Sequence, residues 1–134
     1  MSAEFAEVAA TNVVLHLRDN GPKADRAEVI LVRGPRISVQ VLNGTLVNCR
    51  RKAGLSWEET GAFPEGVRAL CPVKDLTLHT HDVGRALAES HGFPICDAMS
   101  VASALVAGCT TLWSEDLQHG LLVEDRLRIV NPFA

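Results

Sequence analysis

The apolar positions of this chain follow two alternating rhythms: longer stretches at helical spacing and short runs rich in β-branched and aromatic residues. Ala98, Val101, Ala102, Leu105 and Val106 recur at helical spacing, with Asp97 opening the stretch and Gly108 stopping it. Residues 110–113 then read as a strand, which leaves Ser114, Glu115 and Asp116 at its carboxyl end. Upstream, residues 4–9 predict a short first strand and "TNVVLHL", from Thr11, a helix that ends at Asn20, Gly21 and Pro22. A second helix carries Ala24, Ala27, Ile30 and Leu31 on one face. "RGPRISV" supplies a turn and a short strand, after which Ser38 caps a helix with the inward stripe Val41, Leu42, Thr45, Leu46 and Cys49, closed by Gly54. "SWEET" has capping-box spacing, with Ser56 and Glu59 satisfying each other's backbone donors at a helix start. "LCPVKDLTL" reads as extended, Thr80 and Asp82 begin a helix through Val83, Leu87 and Ala88, and residues 127–130 form a last strand. Strands separated by one or two helices predict an α/β fold with a central parallel sheet covered on both faces, a three-layer α/β/α arrangement. Right-handed crossovers then align the strands' carboxyl ends on one edge, where such sheets bind ligands. Asp97 and Asp116 fall on that edge.

At 134 residues and 47% hydrophobic content, residues 1–134 are read as one domain able to bury a core without metals or disulfides. A net charge of −3 excludes a broadly basic nucleic-acid surface and leaves room only for a local patch. The four cysteines, Cys49, Cys71, Cys96 and Cys109, form no C-x-x-C pair and read as buried free thiols in a reducing compartment. No apolar run approaches the roughly 18 residues of a membrane span, and the first residues lack a signal-peptide pattern. The expectation is a cytoplasmic protein with no membrane partner.

Taken in order, "TNVV" after a first strand, "ISVQVLNG" followed by the basic "NCRRKAGLSWEE", "CDAMSVASAL", "TLWSEDLQHG" and "RLRIVNPF" resemble PIN domains, in particular the VapC-like toxins of bacterial toxin–antitoxin pairs. The resemblance spans nearly the whole chain. It implies a PIN-like fold, metal-dependent endoribonuclease chemistry on an RNA substrate, a cognate antitoxin and a homodimer. It further implies four acids gathered around Mg²⁺ or Mn²⁺, hard ions that take oxygen ligands. Asp97 matches the third acid and Asp116 the fourth, while Thr11 and Asn12 match the rest of the first motif. At the first acidic position this chain has Ala10, and at the second Gly44. Two carboxylates imply weak metal binding, and the loss of two positioning groups implies a weak or silent enzyme. Gly44 lies inside a predicted helix, where glycine is disfavoured by about 1 kcal/mol against alanine, so it reads as the loss of a functional side chain. A catalytically inactive PIN fold that binds an antitoxin-like partner is the other reading.

Smaller signals have two readings each. Thr11 and Asn12 suit either the family motif or ordinary helix capping. Asp97 suits a ligand or a first-turn carboxylate favoured by the helix dipole. Glu115 reads as a solvent-facing neighbour of Asp116. Arg50, Arg51 and Lys52 suit RNA phosphates or the last turn of a helix, where cations are stabilising. His79 and His81, at alternate positions of an extended segment without a third ligand, do not read as a zinc pair. His119 reads as an exposed loop histidine, and Trp57 and Trp113 as packing residues.

Overall fold

The computed structural model describes residues 7–51 and 54–134. Its strands are β1 (Glu7–Ala9), β2 (Ile37–Ser38), β3 (Val73–Lys74), β4 (Thr111–Trp113), β5 (Leu122–Val123) and β6 (Leu127–Val130). Its helices are α1 (Thr11–Leu15), α2 (Pro22–Leu31), α3 (Val39–Arg50), α4 (Trp57–Leu70), α5 (Leu78–His91) and α6 (Ile95–Val106), with a 3-10 turn over His16–Arg18. β1 pairs parallel with β4, β4 parallel with β6, and β5 antiparallel with β6. A parallel bridge between Val8 and Arg36 joins this sheet to the parallel β2–β3 pair. The resulting order is β3-β2-β1-β4-β6-β5. The chain therefore moves outward from β1 in one direction, then returns to its other side, and the crevice between β1 and β4 is the topological switch point.

Alternation along β1 sorts the core into two layers. Val8 and Ala10 pack with Leu87, Val101, Leu105, Leu112 and Ile129 under α5 and α6. Ala9 faces the opposite way, against Val14, Leu31, Ile37, Val41 and Val67. Both faces of the sheet are covered, as the sequence pattern predicts for parallel strands.

Local signals explain most boundaries. The Ser38 hydroxyl accepts from the Val41 amide at 3.3 Å, and Ser56 and Glu59 form the expected capping box. In α3 only Val41, Thr45 and Cys49 of the expected stripe are buried, because Leu42 and Leu46 turn toward α4. α5 starts at Leu78 with Thr77 as its cap, two residues before the expected start at Thr80, so His79 and His81 lie on a helix and not on an extended segment. Of the first expected strand, residues 4–6 lie outside the described residues, as does Lys52. β5 is an addition that the hydrophobic pattern does not show. Among the described residues, no helix is long and apolar enough to cross a membrane.

Candidate functional site

Helices that follow parallel strands start at the strands' carboxyl edge. α1 begins directly after β1 and α3 directly after β2, while α6, running back against the sheet, presents its first turn at the same edge. The Ala10 amide donates to the Trp113 carbonyl at 2.9 Å, locking the end of β1 to the end of β4. Around this junction lies a cavity of about 180 Å³. Asp97 and Asp116 line it together with Thr11 and Asn12, so the four residues matched by resemblance share one site. Ala10 and Gly44 line it as well, at the two positions where the resemblance implies acids.

Asp97 is half-buried in the first turn of α6, and Asp116 is exposed at the rim. Burial pushes the Asp97 carboxyl above the ordinary aspartate range, and the negative charge of Asp116 pushes it further. Asp97 thus feels the charge of Asp116, and a cation beside it would favour its ionised form.

Neither Thr11 nor Asn12 caps a helix: Ala10 occupies the cap position of α1 and no side chain bonds there. Asn12 instead accepts the Glu115 amide through Oδ1 at 3.1 Å, tying α1 to the loop after β4. Thr11 lies beneath Gly44. A Cβ at position 44 would sit 3.0 Å from Thr11 Cγ2 and 3.1 Å from its Oγ1, so the glycine permits close approach of α1 and α3.

Several surrounding side chains differ from expectation. Glu115 is not a solvent-facing neighbour: His16 Nε2 donates to its Oε1 at 2.8 Å and Lys23 Nζ to its Oε2 at 2.5 Å. These two donors hold its carboxyl below the ordinary glutamate range. Cys96 is exposed on the cavity rim, whereas Cys49, Cys71 and Cys109 are buried and in no disulfide, as expected. Its position in the first turn of a helix beginning at an open edge explains the difference. Trp57 is 66% exposed, with the Arg50 guanidinium 4.4 Å above its ring, because its position in the first turn of α4 faces away from the core. Trp113 does pack, donating from Nε1 to Glu7 at 3.0 Å. His119 is an exposed loop residue, and its Nδ1 accepts from the Asn131 amide at 2.9 Å.

Gln40 and Ser100 also line the cavity and were not singled out by sequence. Helical spacing carries a signal for both, since Gln40 is one turn before Gly44 and Ser100 three residues after Asp97. The donor set thus comprises two carboxylates with hydroxyl and amide oxygens. Among the described residues no three His, Cys, Asp or Glu side chains gather as a metal-binding group. This set fits an oxygen-seeking divalent ion held by one or two carboxylates and completed by water or substrate, and it does not fit a four-carboxylate centre.

No family model matches the chain, and no curated protein matches it in sequence. Solved structures do match. A toxin–antitoxin complex from Klebsiella pneumoniae is similar at a TM-score of 0.72 and 13% identity, covering 94% of this chain and 97% of that one. FitAcB from Neisseria gonorrhoeae is similar at 0.69 and 14%, covering 95% and 98%. VapC20 of Mycobacterium tuberculosis, described as a toxin that cleaves the sarcin–ricin loop, is similar at 0.67 and 18%, covering 82% and 89%. With its mostly parallel sheet, its two helical layers and an acidic pair at the switch point, the chain has the fold of the VapC-like PIN domains.

Proposed function

We propose that this chain is a VapC-like toxin-type PIN protein whose metal-dependent RNA hydrolysis is impaired at the level of ligand number. The observation that carries the reading is the cavity itself, in which Asp97 and Asp116 converge while Ala10 and Gly44 occupy two further lining positions. Asp97 and Asp116 are the residues that would hold Mg²⁺ or Mn²⁺, weakly, because water or substrate must complete the shell. A divalent ion held there would supply Lewis-acid polarisation of a phosphoryl oxygen and a lower pKa for an attacking water. The chain's own contribution is positional: Asn12 fixes the loop that bears Asp116, and α6 presents Asp97 half out of water. Homodimer formation belongs to the same reading, and light scattering checks it.

Restoring both acids tests the proposal. The Ala10→Asp, Gly44→Glu double variant is expected to cleave a mixed RNA pool in Mn²⁺, at least about 10²-fold faster than the parent chain. Each single variant recovers less than the pair, since groups sharing a metal act as a unit. Chelator-sensitive cleavage by the parent at the rate of the double variant refutes impairment. A folded, Mn²⁺-binding double variant without activity places the defect elsewhere.

A second reading, a catalytically silent protein that binds an antitoxin-like partner, is favoured by a groove of about 540 Å³ between α3 and α4. Leu42, Leu46, Trp57, Ala62 and Pro64 line it, a suitable seat for the apolar face of a helix. The similar structures include a toxin–antitoxin complex, which supports a partner of this kind.

A further inference from the structure

Glu115 and Asp116 are consecutive in the bend that follows β4, and their side chains part there. Asp116 lines the cavity, and Glu115 reaches away from it toward the segment that runs from α1 to α2. Every polar group of Glu115 is engaged. Its amide donates to Asn12, its carbonyl accepts from Asn131 Nδ2 at 3.5 Å, and its two carboxylate oxygens take one donor each from His16 and Lys23. The donors are themselves held. His16 lies 3.3 Å from the Asp19 carboxylate through Nδ1, with the Phe133 ring edge-on at 4.6 Å, and the Lys23 ammonium sits 5.5 Å from the centre of that ring.

An isolated surface ion pair contributes little. Here an imidazole, an ammonium, an amide acceptor and a ring form one partly buried network, in which each member orients the next. The need for such a device is on the cavity side. Asp116 is exposed and lines the same small cavity as the like-charged Asp97, so like-charge repulsion favours an outward position.

We propose that Glu115 is a positioning residue: clamped by His16 and Lys23, it pins the loop after β4 and keeps Asp116 over the cavity against the repulsion of Asp97. This deepens the metal-ligand reading of Asp97 and Asp116 and rests on it for its consequence, since outer groups that orient a ligand typically change metal affinity 10–100-fold.

The experiment compares the full chain with Glu115→Ala and Glu115→Gln by NMR, then repeats the comparison during a Mn²⁺ titration. In Glu115→Ala, contacts between Asp116 and the first turn of α6 are expected to vanish and the amides of residues 115–119 to become mobile, while sheet amides keep their protection. Glu115→Gln, which retains acceptor and shape, recovers part of the contacts. Should the alanine variant not fold, Glu115→Gln and Lys23→Met are read for the same contacts, and their weakening supports the proposal. In the metal arm the alanine variant binds Mn²⁺ about tenfold more weakly than the parent. Unchanged Asp116 contacts in the substituted proteins overturn the proposal. A freed loop in a protein whose parent binds no Mn²⁺ supports the clamp and refutes the metal reading; equal Mn²⁺ affinity with Asp116 still in place refutes the clamp and leaves that reading standing.

Discussion

Asp97 prefers its proton more than an aspartate in water does, first because α6 and the sheet remove solvent from it and second because Asp116 is near. Its folded value lies above its unfolded one. Its ionisation therefore lowers stability as pH rises through the window between them, and the penalty is absent below both. Glu115 behaves oppositely: its folded value is depressed by His16 and Lys23, so its contribution is present above the ordinary glutamate range and lost as pH falls. Replacing Asp116 with Asn is expected to move the Asp97 midpoint downward without bringing it to the ordinary range, because burial is the larger cause. Carboxyl-carbon NMR titration reads this directly, and an unmoved midpoint means that the two groups do not interact. That Asp97 and Asp116 share one edge was legible because each sits at a recognisable element boundary. The bonds of Glu115 to His16 and Lys23 were not, because they join groups 99 and 92 residues apart and leave no periodic trace.

At the level of elements, two helix glycines that look alike in sequence have different surroundings. A Cβ at Gly84 of α5 would meet Met99 Sδ at 2.5 Å and Ala102 Cβ at 3.5 Å, so this glycine sets the distance between α5 and α6. Gly84→Ala is expected to destabilise by about 1–3 kcal/mol, as overpacking does, with the flexible thioether keeping it toward the lower end. Gly44→Ala asks only that the Thr11 side chain yield by a few tenths of an ångström, and it gains about 1 kcal/mol of helix propensity. Urea unfolding is expected to rank Gly44→Ala above Gly84→Ala, and the reverse order contradicts this account of the two contacts. Helices with apolar stripes and polar caps were readable because spacing and capping are local. β5 was not: it has two residues, and its return to β6 passes through Glu124 and Asp125 in left-handed conformations rather than an Asn-Gly turn. The start of α5 was misplaced because Thr77 and Thr80 both offer a capping hydroxyl, and only the fold chooses Thr77.

For the whole molecule, the site edge and the α3–α4 groove are separate surfaces, so loss of chemistry at one leaves the other able to bind. Coexpression with the product of an adjacent small reading frame is expected to give a stable complex, weakened at least tenfold by Trp57→Ala if this exposed aromatic anchors the partner. Retention of full affinity moves the contact away from the groove. The strand order has a further consequence, in time rather than in space. β1 lies in the middle of the sheet, yet Glu7 pairs with Thr111, near the far end of the chain. At synthesis rates of about 5–20 residues per second, β1 waits on the order of 5–20 s for the strand that completes its second side. The cavity walls, drawn from Ala10 through Asp116, come together only when that strand docks. A nascent chain therefore has no assembled site before β4 and the loop bearing Asp116 have emerged, and whatever chemistry the cavity supports begins only then.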